Sequence, residues 1–67
     1  MNNKLTIGMI VYNAESTINS AIDSLLAQDY PYFKLLIFDD ASTDATAQIC
    51  IKYQSIDSRI KYYRHNN

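Results

Sequence analysis

Two adjacent carboxylates, Asp39 and Asp40, close an apolar run from Lys34 to Phe38, where the pattern places the end of a strand. Like charges at such a point repel and burial opposes their ionisation, so the pair needs donors, a cation or a ligand to offset the cost. An aromatic ring and an amide, Tyr12 and Asn13, end an earlier β-rich run, and Arg64 with His65 ends a later one. In open α/β sheets ligands sit beyond the carboxyl ends of the strands, so these three sets stand where a ligand would. A plainer reading is available for each. Asp40 would cap the turn Ala41-Ser42-Thr43-Asp44 through backbone N–H groups while Asp39 faces solvent, and Tyr12 is one of six tyrosines that would mostly pack with a wet hydroxyl.

The elements that must position these residues follow from periodicity. Leu5 to Tyr12 is short, β-rich and apolar on both faces towards its end, as suits a buried strand of a parallel sheet. From about Glu15 to Gln28, Ile18, Ala21, Ile22, Leu25 and Leu26 fall on one helical face. The helix must end before Pro31, which makes Asp29-Tyr30-Pro31-Tyr32 a loop. The strand Lys34 to Phe38 leads to a cluster of capping side chains. A second helix from about Asp44 to Gln54 would turn Ala47, Cys50, Ile51 and Gln54 to one side. Ser55 to Ser58 reads as a turn, and Arg59 to Arg64 as a third strand. The resulting β-α-β-α-β order predicts an α/β chain, with a partial doubly wound, Rossmann-like parallel sheet in the strand order 3-2-1.

Composition limits the functions open to the chain. Its 67 residues make one small unit, residues 1–67. A chain of this size buries only about 60% of the surface its unfolded form exposes, which argues against a large closed active site. A net charge of −1 supplies no field for nucleic acid or anionic lipid, so an anionic ligand must be held locally. The basic residues Lys52, Arg59, Lys61, Arg64 and His65 crowd the last third, and their default reading is a solvated surface. A single cysteine, Cys50, excludes an internal disulfide framework and reads as a small core residue. No apolar run approaches the ~20 residues that span a bilayer, and no signal peptide opens the chain. A soluble, cytoplasmic protein is expected.

Val11-Tyr12-Asn13, Ser24-Leu25-Leu26-Ala27-Gln28, Tyr30-Pro31-Tyr32-Phe33, Asp39-Asp40-Ala41-Ser42-Thr43-Asp44 and Arg59-Ile60, in this order and spacing, resemble the opening of family 2 glycosyltransferases of the GT-A fold. The resemblance covers nearly the whole chain. It implies the N-terminal, nucleotide-binding part of an inverting enzyme that moves a sugar from a nucleotide-diphosphate sugar, commonly a UDP-sugar, to a glycan, lipid or protein acceptor. It implies that Asp40 accepts a hydrogen bond from the base and that Tyr12 packs against it, with Asp39, Asn13 and Glu15 supporting the loop or meeting the ribose. It further implies a divalent cation, Mg or Mn, and a place for the full-length protein at the cytoplasmic membrane face. The family's Asp-X-Asp metal motif and catalytic base have no counterpart in these residues, so no catalytic or metal ligand role is assigned here, Asp57 included.

Two departures stand out. Ile10-Val11 replaces the family's usual Pro-Thr, removing a threonine hydroxyl, and Ala41 replaces the glycine of the usual Asp-Asp-Gly-Ser. If position 41 demands a positive φ, alanine strains the turn; if not, the change is harmless. Two rival readings are a stand-alone remnant, with weak nucleotide binding or a structural role, and a phospho-accepting receiver. The receiver expects its acidic pair after the first strand, where this chain has Tyr12-Asn13. A three-stranded half-sheet also leaves an edge and one apolar face uncovered, which favours self-association.

Overall fold

The computed structural model describes residues 5–28 and 32–65. The elements are β1 (Leu5–Val11), α1 (Ile18–Leu26), β2 (Phe33–Asp39), α2 (Thr46–Ile56) and β3 (Ile60–Arg64). The expected α/β alternation is present, with shifts of one to three residues at most element ends. Asp29, Tyr30 and Pro31 of the expected loop lie outside the described residues.

β2 lies between β1 and β3, parallel to both, with Val11 opposite Asp39 and Asp39 opposite Arg64. The expectation of a partial doubly wound sheet in the order 3-2-1 is corrected: the strands run sequentially, β1-β2-β3, in an open sheet. Each strand lies beside its predecessor and the winding never reverses, whereas a doubly wound sheet requires a reversal that puts helices on both faces. Both helices here contribute to one core, on one face.

Strand parity accounts for that core. Phe33, Leu35 and Ile37 alternate inward on β2 and meet Val11, Ile60, Ile18 and Ile22 of α1, and Cys50 of α2. Ile18 and Ile22 are buried, as the helical period predicts. On α2 the inward stripe is Thr46, Ile49, Cys50 and Tyr53, while Ile51, expected inside, is 50% exposed. α2 continues through Ser55 and Ile56, where a turn is expected.

The other sheet face is open. Ile10 on β1 is 83% exposed, and it aligns in register with Phe38 and Tyr63, whose rings stack 5.5 Å apart. β1 is thus an edge strand with one bare face in this structure, not the strand buried on both sides that its composition suggests.

Candidate functional site

The same parity separates the two carboxylates. Asp39 continues the inward row of Phe33, Leu35 and Ile37 and is only 1% exposed, whereas Asp40 falls on the exposed side. Every oxygen of Asp39 is engaged. Oδ1 accepts from the Ser42 amide at 2.9 Å and the Ser42 hydroxyl at 2.5 Å. Oδ2 accepts from the Tyr62 hydroxyl at 2.5 Å and from Arg64 Nη1 at 3.3 Å. Burial opposes the charge of Asp39, but the bonds from Ser42 and Tyr62, with the nearby Arg64 guanidinium, outweigh it and hold the carboxyl below its ordinary value. The Cys50 thiol is pushed up to about 11, first by burial and then by the Asp39 charge, so it remains a protonated core group.

From this centre the bonds run outward through the two loops. Ser42 Oγ accepts the Asn13 amide at 2.9 Å, and Asn13 Oδ1 accepts the Thr43 amide at 2.8 Å. The Glu15 amide donates to Asp44 Oδ2 at 3.2 Å, while the Ala45 amide donates to Glu15 Oε1 at 2.8 Å. Asp44 Oδ1 takes the Thr46 amide at 2.9 Å, and the Thr46 hydroxyl accepts the Ala14 amide at 2.8 Å. Carboxylates of Asp44 and Glu15 therefore receive N–H groups at the start of α2, a favourable place for negative charge. Asn13 and Glu15 act here as braces between the loops.

Both loops need left-handed backbone. Asn13 has φ 47° and Ala41 has φ 59°. Asparagine tolerates this region, but alanine pays a steric cost of about 1 kcal/mol relative to glycine. The conditional raised by the sequence is thereby resolved in favour of strain at Ala41.

The Asp40 amide donates to the Val11 carbonyl at 3.0 Å, so Tyr12 and Asp40 lead off from adjacent strand ends. Tyr12 is 62% exposed. His65 Nδ1 lies 3.6 Å from Asp40 Oδ1. Beside Asp40 is an open cavity of about 380 Å³ whose floor is Ile10, Phe38 and Tyr63, with Arg64 and His65 at its side. Asp39 also borders it, but Tyr12, Asn13 and Glu15 do not.

Sequence reasoning missed Tyr62 altogether, and it placed Arg64 at a strand end or on a solvated surface without its contact to Asp39. Alternation from Ile60 places both on the inner face, but only the β2–β3 register puts them against Asp39. Arg64 also donates from Nη2 to the Ser42 carbonyl at 2.8 Å, so it is part of the loop's scaffold and not of a merely solvated basic patch. Arg59 is likewise engaged, with Asp57 at 2.7 Å and over the Phe33 ring.

Among the described residues no group of three His, Cys, Asp or Glu side chains is placed to hold a metal ion. Asp39 already accepts four hydrogen bonds, one from a guanidinium, so its carboxylate has no free position for the oxygen shell of a divalent cation. No described helix is long and apolar enough to cross a membrane.

A parallel sheet with a braced polar rim at its carboxyl edge defines an α/β scaffold, and the model of glycosyl transferase family 2 matches residues 6–67. The chain belongs to that family. Its relatives include glycosyltransferase GlyA of Streptococcus pneumoniae, 33% identical over all of this chain and 10% of that protein. Another is UDP-Glc:alpha-D-GlcNAc-diphosphoundecaprenol beta-1,3-glucosyltransferase WfgD of Escherichia coli, 44% identical over 85% of this chain and 22% of the relative. A third is poly(ribitol-phosphate) beta-N-acetylglucosaminyltransferase TarS of Staphylococcus aureus, 39% identical over 78% of this chain and 9% of the relative. The chain thus spans less than a quarter of each of these three relatives.

Proposed function

We propose that residues 1–67 form the nucleotide-binding part of a glycosyltransferase domain that takes a sugar from a nucleotide-diphosphate sugar, a UDP-sugar, and passes it to a glycan, lipid or protein acceptor. The observation that carries this reading is the division of the carboxylate pair. Asp39 is consumed by the scaffold, while Asp40, next to it, is left at the exposed rim beside the strand end that carries Tyr12. In this reading the Asp40 carboxylate accepts the imide N–H of the base in a charge-assisted bond. The Tyr12 ring stacks on the base, an interaction worth about 1–3 kcal/mol in analogous sites. Asn13 and Glu15 support the ligand indirectly, through the loops they join.

The whole enzyme uses Mg or Mn against the diphosphate, with ligands and catalytic base supplied by other residues. It works in the cytoplasm, at the membrane face when its acceptor is lipid-linked, as the acceptor in the name of the Escherichia coli relative is. Titrating the protein with UDP, with Asp40→Ala as control, tests the base site. Weaker binding by the variant is expected, and equal binding by both proteins would remove Asp40 from the site.

A further inference from the structure

We propose that Tyr62 and Arg64 of β3 are positioning residues for the nucleotide site, acting through the buried Asp39 carboxylate to fix the loop that carries Asp40. The proposal rests on the nucleotide reading above and adds a third strand to a site which that reading builds from the ends of β1 and β2.

The geometry makes one continuous path. Tyr62 and Arg64 donate to Oδ2 of Asp39, and its Oδ1 holds both the amide and the hydroxyl of Ser42. Arg64 spans the path a second time through its 2.8 Å bond to the Ser42 carbonyl. Ser42 Oγ in turn accepts the amide of Asn13, which follows Tyr12. One knot therefore sets the relative placement of the two loops that bear Asp40 and Tyr12. Two facts indicate that the loop needs holding. Its backbone is left-handed at Ala41, which lacks glycine's freedom, and among the described residues the Asp40 carboxylate accepts no hydrogen bond, with His65 3.6 Å away. A loop with an uncommon conformation persists when its surroundings over-determine it.

The groups facing Asp39 are Ser42 from its own loop, Tyr62 and Arg64 from β3, and the Cys50 thiol from α2, with Asp40 and His65 beyond the strand end. Removing the Tyr62 hydroxyl leaves Asp39 equally buried with one donor fewer, so its carboxyl protonates at higher pH. The loop then loses its anchor at a pH where the wild-type loop is still held.

The test is UDP affinity across pH, measured on the full-length protein for wild type, Tyr62→Phe, Arg64→Lys and Asp40→Asn, with thermal melts of each. Tyr62→Phe is expected to bind UDP about fivefold more weakly at neutral pH, at a temperature where it is fully folded, and its acid limit of binding moves up in pH. Arg64→Lys keeps the charge near Asp39 but not the second bond to Ser42, and is expected to lie between Tyr62→Phe and wild type. A Tyr62→Phe protein with lowered melting temperature but wild-type affinity and acid limit, while Asp40→Asn binds weakly, would overturn the positioning role and leave the nucleotide reading standing. Equal UDP affinity of Asp40→Asn and wild type would instead sink the nucleotide reading. Should Tyr62→Phe fail to fold, Arg64→Lys decides the question by the same two readouts.

Discussion

The two sides of the strand ends solve opposite problems with the same kind of residue. On the helix-covered side, Asp39, Ser42, Tyr62 and Arg64 form a satisfied polar knot beside the apolar core. On the open side, Asp40, His65 and the row Ile10, Phe38 and Tyr63 stay accessible around a shallow cavity. A carboxylate with four donors is spent on holding the chain; its neighbour, one residue on, is left for something else. Adjacent acids therefore need not share a role, because strand parity assigns them to different environments.

The largest way to break this contrast is Asp39→Ala. It strands the donors of Ser42, Tyr62 and Arg64 in a partly buried place, and should cost about 3–5 kcal/mol in denaturant unfolding, enough to unfold much of so small a unit. A loss below about 1 kcal/mol would show that the knot is incidental. The Asp39 charge also gives stability a pH dependence. Its folded carboxyl lies below the ordinary 3.8, so its contribution is fully present above that value and is lost as pH falls through the folded one. Asp44 adds in the same direction, since the Thr46 and Glu15 bonds overcome the desolvation that opposes its charge. Melting temperature is expected to be level near neutrality and to fall below about pH 4; a flat profile down to pH 2 would contradict the assignment.

On the other side of the contrast, Asp40→Ala should leave stability within about 0.5 kcal/mol of wild type. UDP affinity should fall by about 10- to 100-fold, the value of one charge-assisted bond. Stability loss comparable to that of Asp39→Ala would erase the distinction between the two acids. Ala41→Gly sharpens the comparison from the scaffold side: relief of the positive φ should stabilise the fold by about 1 kcal/mol, read as a higher denaturation midpoint. Least of all, Ile10→Thr on the bare face should change stability by no more than about 0.5 kcal/mol, because the side chain is 83% exposed already.

Much of this organisation is legible in the residues. The period of Ile18, Ala21, Ile22, Leu25 and Leu26 gives α1, and the caps at Ser42 to Asp44 announce α2. The capping reading of the acidic pair, however, assigns it backwards, with Asp40 on the turn and Asp39 in water. Counting outward in twos from Leu35 and Ile37 would have turned Asp39 inward. The burial of α2 was harder to see, because Thr46 is polar and Ile51 apolar, yet the first is inside and the second half exposed. No count along the chain reveals Tyr62 and Arg64 against Asp39, since that contact depends on the register between strands 23 to 25 residues apart. The sequential sheet, too, required knowing which way each crossover stepped.

The central claim is that ligand binds on Asp40's side of the strand ends while Asp39's side only supports it. Its most direct test is an NMR titration of the isotopically labelled protein with UDP, following side-chain and amide resonances on both sides. The account predicts progressive shifts at the Tyr12 ring and the Asp40 carboxylate, with the Tyr62 ring and Asp39 carboxylate nearly still. Shifts centred on Asp39 and Tyr62, or saturating UDP with Tyr12 and Asp40 unmoved, would contradict it.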